Sequence, residues 1–397
     1  MSARLPRIAH VFRESTRVGT IARTTAGSTF TYDASFAAKG QGIAYRLPSR
    51  LEPFDTRGVN LHPFFAGLLP EGARLRALVR RTKTSEDDLL SLMVAAGADC
   101  IGDVSVVGPG DTPGDPSSAN VEKLGKVLFA DLFAKSIASR HEPTISGVQE
   151  KVSASMISFP LRAQGTAYIL KLNPIDKPRL VENEHFFLEM AKACGLEVAR
   201  ASLVHDREKN AGLLVERFDR ITEGEERQKV HQEDACQFLD RYPADKYTLT
   251  CAEIADGIAE LSSLPIIDLA RLLRLIAFSY VIANGDLHAK NISLATSPTT
   301  RRIGLTPAYD LLSTLPYGDR TMALQMDGRD DNLKAARFVE FGARHGVRER
   351  ATLRILEEIC DRAPPFVERL EEIGLAPKKT ADLMRVMKKR RDHLRAG

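Results

Sequence analysis

The stretch from Ser279 to Ser293 constrains the fold of this chain more than any other. It begins as an apolar, helix-like run, Ser279-Tyr280-Val281-Ile282-Ala283, and ends in a cluster of polar groups, Asn284-Gly285-Asp286-Leu287-His288-Ala289-Lys290-Asn291. Gly285 reads as the residue that lets the backbone turn without a side-chain clash. Asp286 and Asn291 stand in the spacing D-x-x-x-x-N. Taken alone, that spacing also describes a helix end followed by a polar turn, so its meaning depends on what the rest of the chain supplies.

At 397 residues, roughly 150 per domain gives two or three domains and ample material for a core. The hydrophobic share of 43% and charged share of 27% are ordinary for a soluble globular protein. Net charge is +4, too mild to argue for nucleic acid. The five cysteines are scattered without a C-x-x-C pair and read as buried thiols of a reducing cytosol. No run approaches the 18 or so apolar residues that span a bilayer, and residues 1–10 have no signal-peptide core. The expectation is a cytoplasmic protein with no membrane partner.

In chain order, Val18–Ala22 and Ser28–Tyr32 flank a Gly27 turn and read as a hairpin. Helices are expected over Leu61–Leu69, Ala73–Arg81 and Asp87–Ala96, the last capped by Ser85. The clearest linker is Gly108–Pro116. Beyond it lie a helix over Lys126–Ser139, a strand–turn–strand over Thr144–Ser155, and a strand, Tyr168–Leu172, with one lysine. An amphipathic helix, Val181–Cys194, and strands Ala199–His205 and Gly212–Phe218 follow. The remainder reads as helical: Gln232–Leu239, Cys251–Ser262, Ile266–Ala283, Leu333–His345, Arg348–Ala363 and Thr380–Leu394.

Phosphoryl transfer needs a lysine for nucleotide phosphates, a carboxylate and an amide for magnesium, and a positioned base. The chain offers one candidate for each in the order a protein kinase has them. Lys171 lies mid-strand between apolar neighbours, where a charge is costly unless paired. Glu184, on the following helix, can pair with it. Glu216-Arg217-Phe218 ends a strand where a two-lobed kinase has its hinge. Asp286 is the candidate base, with Asn291 five positions on. Asp310 lies 24 residues after Asp286, where a magnesium-binding aspartate belongs. His288 and Lys290 can orient phosphates or simply solvate the loop. No Ser-His-Asp order, H-E-x-x-H or G-x-x-x-x-G-K competes.

Several ordered motifs then agree on one family. Ile145-Ser146-Gly147-Val148-Gln149-Glu150-Lys151 resembles the nucleotide loop of HipA-type toxin kinases. So do Tyr168–Pro174, Leu214–Arg220, His231–Gln237, Asn284–Asn291 and Tyr309–Ser313 in their places, and Phe64–Pro70 and Leu89–Val107 resemble that family's N-terminal subdomain. The resemblance implies an α+β, two-lobed protein-kinase-like fold with an additional N-terminal α/β subdomain and a helical C-terminal lobe. It divides the chain into residues 1–140, an N-lobe with nucleotide loop and hinge over 141–222, and a catalytic lobe over 223–397. It implies Asp286 as catalytic base, Asn291 and Asp310 as magnesium ligands, and ATP as the nucleotide. ATP would be bound by Ser146, Gly147, Val148, Gln149, Glu150, Lys151, Lys171, Glu216, Arg217, Phe218, His288, Ala289, Lys290, Asn291, Tyr309 and Asp310, with Gln232 nearby.

Such kinases phosphorylate a cytosolic protein, for the best-known members an aminoacyl-tRNA synthetase, and halt translation. A helix-turn-helix antitoxin neutralises them and makes the link to DNA. They silence themselves by autophosphorylation of the nucleotide loop, for which this chain offers Thr144, where many members have serine, and Ser146. A phosphate there adds a charge of about −1.5 to −2 beside a site for ATP phosphates. The loop carries only Gly147, so it is not the G-x-G-x-x-G cover of ordinary kinases. The basic cluster Lys378-Lys379 and Lys388-Lys389-Arg390-Arg391 reads as a solvated helix face, with an auxiliary DNA contact as the other reading. Two alternatives differ in class: a small-molecule kinase of the aminoglycoside or choline type, and a catalytically silent co-repressor of a DNA-binding partner.

Overall fold

The computed structural model describes residues 5–58, 60–113, 124–138, 157–163, 166–223 and 226–395. The segment expected as strand–turn–strand, including Thr144 and 146–151, lies outside the described residues.

The N-terminal part is built on a five-stranded antiparallel sheet in the order Phe54–Arg57, Gly27–Tyr32, Thr16–Arg23, Ile8–Arg13, Val104–Val107. The expected hairpin is its centre. Alternation along Gly27–Tyr32 points Ser28, Phe30 and Tyr32 inward. Phe30 sits edge-on to Tyr32 at 4.8 Å and to Phe65 at 5.1 Å, in a core shared with Ile43, Leu61, Phe64 and Met93. Val104–Val107 returns after three helices to pair with Ile8–Arg13, so the sheet closes just before the linker.

The helix expected over Ala73–Arg81 runs Gly72–Thr82, and the other two begin later than expected. One is Pro63–Gly67, where the His62 ring accepts from the Phe64 N–H at 3.3 Å and proline fills the first turn. Another is Leu89–Ala96, capped by Asp88, which accepts from the Ser91 N–H at 3.3 Å. Ser85 instead bonds the Asp87 N–H at 3.2 Å, a turn of its own before the helix.

A second sheet has four antiparallel strands in the order Ile157–Ala163, Thr166–Leu172, Ala211–Glu216, Ala201–His205. Its two faces are covered differently. Leu170 and Leu214 pair across strands and face Phe129, Leu132 and Phe133 from the helix Phe129–Ala138. Lys171 pairs with Leu213 and so lies on the opposite face, towards the helix Leu180–Ala193.

The C-terminal part packs the helices Cys251–Leu261, Ala335–Arg344, Glu349–Arg362 and Pro377–Arg395 against Pro265–Val281. From Leu275 to Val281 every residue of that central helix is buried, including Ser279 and Tyr280. The expected helix over Gln232–Leu239 is instead a strand, His231–Asp234, followed by the single turn Ala235–Phe238. The strand pairs with Ser293–Thr296, and Asp234 ends it by accepting from the Gln237 N–H at 3.0 Å, a capping box that starts the turn. Among the described residues, no helix is long and apolar enough to cross a membrane.

Candidate active site

The central helix delivers its C-terminal end to a cleft between the four-stranded sheet and the helical part. Past Val281 the chain breaks from the helix at Ala283, which has a left-handed φ of 55°. Asn284 then accepts from the Asp286 N–H at 2.9 Å, and the Thr314 hydroxyl accepts from the Gly285 N–H at 2.7 Å. Gly285 is required for space rather than for an unusual φ. A Cβ there would stand 2.7 Å from the Thr321 carbonyl oxygen and 2.8 Å from Thr314 Oγ1.

Asp286 and Asn291 meet through the backbone of His288, whose N–H donates to the Asp286 carbonyl at 2.8 Å and to Asn291 Oδ1 at 3.2 Å. The His288 ring is buried, its Nδ1 has no partner among the described residues, and burial lowers its pKa against the pull of Asp286. Ala289 is buried in the turn that joins them.

The strands Ser293–Thr296 and Ile303–Leu305 form an antiparallel pair that brings the chain back to Asp310. Asp310 sits at a left-handed φ of 55° and accepts from Asn291 Nδ2 at 3.0 Å. The helix Leu180–Ala193 holds this segment from the other side. Asn183 donates to the Ser313 carbonyl at 3.0 Å and accepts from the Ser313 N–H at 2.9 Å. The next residue, Glu184, accepts from Lys171 Nζ at 2.6 Å, and Lys171 also pairs with Asp310. One cation thus joins the sheet, the helix and the aspartate that follows the catalytic-type loop.

The electrostatics follow from burial. Lys171 is 7% exposed and Glu184 1% exposed. Burial would lower the lysine's pKa, but Asp310 and Glu184 more than offset it and hold the ammonium charged. Burial pushes Glu184 up to about 7 against the pull of Lys171, while Lys171 holds Asp310 below its ordinary range. Among the described residues, Glu184 Oε2 has no side-chain hydrogen-bond partner. The donor chemistry suits a hard cation such as magnesium, which takes oxygen ligands from one or two protein groups and keeps the rest for phosphate and water. Asp310 offers a carboxylate with 38% of its side chain open, and Asn291 an amide beside it. As placed, the amide nitrogen faces Asp310 and its oxygen is taken by the His288 N–H.

The remaining expected residues divide into two groups. Phe218 and Tyr309 come together, ring centroids 5.9 Å apart, beside the strand end at Glu216. Tyr309 is fixed by its hydroxyl, 2.8 Å from the Lys290 carbonyl and 2.6 Å from Ser293 Oγ. The side chains of Arg217 and Lys290 are taken up by other partners. Arg217 is buried against Asp219 at 2.8 Å and Asp99 at 2.9 Å, leaving only its backbone, which bonds the Ala167 carbonyl at 2.9 Å, at the hinge. Lys290 Nζ donates to Asp234 at 2.6 Å and to the Gly67 carbonyl at 3.1 Å, tying the loop to the N-terminal part. Gln232 is a buried strand residue paired with Ala295, and its backbone lies against Gly102. Glu216 donates its N–H to the Arg200 carbonyl at 2.8 Å.

Three residues of this region were not apparent from the sequence: Asn183, Asp234 as partner of Lys290, and Tyr247, whose hydroxyl lies 2.8 Å from Asp286. Asn183 is adjacent to Glu184 and so was within reach of the helix argument. Tyr247 is 39 positions from Asp286 with no local pattern to mark it.

Comparison with known proteins agrees with this geometry over both halves of the chain. Residues 9–107 match the HipA N-terminal domain, and residues 144–366 match the HipA-like C-terminal domain. Y4mE of Sinorhizobium fredii, provisionally named a kinase, is 31% identical over 306 residues, covering 72% of this chain and 71% of that one. The serine/threonine-protein kinase toxin HipA of Shewanella oneidensis is 27% identical over 346 residues, covering 79% of this chain and 78% of the toxin. A solved structure of the Shewanella oneidensis HipA, HipB and operator DNA complex contains a chain that matches with a TM-score of 0.74 at 20% identity, over 97% of both chains. With both domains matched in order and a lysine, glutamate, aspartate and asparagine gathered at one cleft, the chain belongs to the HipA family of serine/threonine-protein kinases.

Proposed function

We propose that this protein is an ATP- and magnesium-dependent serine/threonine protein kinase acting as the toxin of a toxin–antitoxin module. The observation that carries the reading is Lys171, whose ammonium is held at once by Glu184 and Asp310. Such an arrangement fixes a cation where nucleotide phosphates must lie and sets a metal-competent carboxylate beside it. When bound, ATP and magnesium supply the transferable phosphoryl group and neutralise its developing charge. Asp286 takes the proton of the acceptor hydroxyl. Lys171 orients phosphates, Asn291 and Asp310 hold the metal, and the backbone of Glu216–Phe218 with the Phe218 and Tyr309 rings receives adenine.

We read the substrate as a cytosolic protein of translation, in the first instance an aminoacyl-tRNA synthetase, with growth arrest as the result. A helix-turn-helix antitoxin similar to HipB would neutralise the kinase and carry any contact with DNA. Autophosphorylation of Thr144 or Ser146 would silence it by charge repulsion at the phosphate site. The proposed division is a subdomain over 1–140 with lobes over 141–222 and 223–397. The separate core of the N-terminal sheet, from Ala9 to Val106, supports a subdomain ahead of the linker, while the helix Phe129–Ala138 packs on the four-stranded sheet and goes with the N-lobe.

Induced expression followed by phosphoproteomics, with Asp286→Ala as control, tests this. New phosphoserine or phosphothreonine on a translation protein, absent with the variant, is the expected result. Growth arrest by Asp286→Ala as strong as the parent's would exclude phosphoryl transfer as the mechanism. Phosphate appearing only on aminoglycosides or choline would make the protein a small-molecule kinase. Mass spectrometry of ATP-incubated protein should find phosphate on Thr144 or Ser146.

A further inference from the structure

Asp286 accepts a hydrogen bond from the Tyr247 hydroxyl at 2.8 Å, and among the described residues no other side chain bonds its carboxylate. Tyr247 ends the short turn Pro243–Tyr247 and is 51% exposed. Its ring stands edge-on to His288 with centroids 5.1 Å apart, and the Lys246 ammonium lies 5.2 Å from the ring centroid. Lys246 also pairs at 2.5 Å with Glu71, the residue directly before the helix Gly72–Thr82 of the N-terminal part. The phenol is thus held on the carboxylate by its hydroxyl, one ring contact and a neighbouring ion pair, on a loop open to solvent. Burial and the Asp286 charge both raise its pKa, so it stays protonated and keeps donating.

A general base acts only on a hydroxyl within hydrogen-bond reach, about 2.6–3.2 Å. Tyr247 already makes that bond. A donor meant to orient the carboxylate permanently would be expected on a packed, rigid element; a half-exposed side chain on a turn can be displaced. We propose that Tyr247 controls the acceptor site: its hydroxyl occupies the position that the substrate's serine or threonine hydroxyl must take, and the acceptor binds by displacing it. Once it is displaced, the acceptor oxygen bonds to the γ-phosphorus of ATP, its proton passes to Asp286, and the bond from the γ-phosphorus to the bridging oxygen breaks to release ADP. The inference rests on reading Asp286 as the base.

The test uses the full chain with ATP and magnesium, and myelin basic protein as a generic serine/threonine acceptor. Tyr247→Phe keeps the ring contact with His288 and removes the hydroxyl. Because an acceptor that must displace an occupant binds with a penalty, the variant should lower the acceptor KM by about 3–10-fold, with kcat and the KM for ATP within about twofold of the parent. Lys246→Ala, which loosens the turn from Glu71, should move the acceptor KM the same way by a smaller factor, and it decides the question if Tyr247→Phe does not fold. A fall in kcat of about tenfold or more with unchanged acceptor KM would make Tyr247 an orienting donor and overturn the proposal. Unchanged kinetics in both variants would also overturn it, as would phosphotyrosine at position 247 after incubation with ATP. Activity retained by Asp286→Ala would instead remove the underlying assignment of the base, whatever Tyr247 does.

Discussion

Asn291 and Asp310 lie 19 positions apart in the chain, and the Asn291 amide nitrogen stands 3.0 Å from the Asp310 carboxylate. A short antiparallel strand pair closes that distance, and the left-handed backbone at Asp310 turns its carboxylate back towards Lys171. The lysine arrives from a strand 139 positions earlier. The cleft is therefore assembled from three elements that share no local sequence, and its charges are held by one another before any ligand is considered.

That interdependence separates stability from activity. Lys171→Met removes the cation from between two carboxylates and leaves Glu184 buried without it, a loss on the order of 3–5 kcal/mol if Glu184 stays charged and less as it takes up a proton. The single variant should melt well below the parent and lose phosphoryl transfer by about 100-fold or more. Lys171→Met with Glu184→Met should regain much of the melting temperature and none of the activity. Thermal denaturation alongside radiolabelled-ATP transfer reads both. Recovery of activity in the double variant would show that Lys171 serves packing alone.

Gly285→Ala is a test of space. The added Cβ would meet the Thr321 carbonyl oxygen at 2.7 Å and Thr314 Oγ1 at 2.8 Å, both far inside contact distance. Something must shift, and Gly285 sits directly before Asp286. A displacement of about 1 Å at a catalytic group costs on the order of 100-fold, so kcat should fall by about 10–100-fold. Overpacking costs about 1–3 kcal/mol, so circular dichroism should show a folded protein with a modestly lower melting temperature.

The sequence carried the cleft further than its surroundings. Lys171, Glu184, Asp286, Asn291 and Asp310 could be named because charged or amide groups beside apolar strands and helices need partners, and because their order matched phosphoryl-transfer chemistry. Their neighbours could not. Gly285 looked like a turn residue, but a glycine chosen for clearance and one chosen for φ are identical in sequence. Gln232–Leu239 looked helical, since the pairing of His231–Asp234 with Ser293–Thr296 depends on a strand some 60 residues away. Arg217 could be placed at the hinge by its backbone, but not its guanidinium, whose partner Asp99 is 118 positions distant.

Arg217→Ala distinguishes those two roles. The guanidinium, 5% exposed, joins Asp99 of the N-terminal part to Asp219, which also accepts from the Gly102 N–H at 3.0 Å. Arg220 reinforces it, pairing with Asp99 at 2.8 Å and Asp219 at 2.7 Å. Removing Arg217 strands buried carboxylates, so chemical denaturation should show a loss on the order of 3 kcal/mol. An arginine that served the nucleotide would instead weaken ATP binding in calorimetry while leaving unfolding unchanged.

His231 gives the fold a pH dependence with a definite sign. Its Nδ1 lies 2.9 Å from Asp103, directly before the strand Val104–Val107, and its Nε2 2.9 Å from Glu233, while Arg13 also pairs with Asp103 at 2.9 Å and the Tyr45 ring packs edge-on at 5.2 Å. Burial would lower the imidazole's pKa, but Asp103 and Glu233 raise it to about 9. The folded state therefore holds a proton that the unfolded chain releases near pH 6.5. The stabilisation, on the order of 3 kcal/mol, is complete below that pH and disappears as pH rises through about 9. His231→Gln can keep hydrogen bonds but not the charge. It should melt several degrees below the parent at pH 6, and the gap should close between pH 6.5 and 9.5. A gap that stays constant over that range would mean that the imidazole stabilises the joint by packing and neutral hydrogen bonds instead of by its charge.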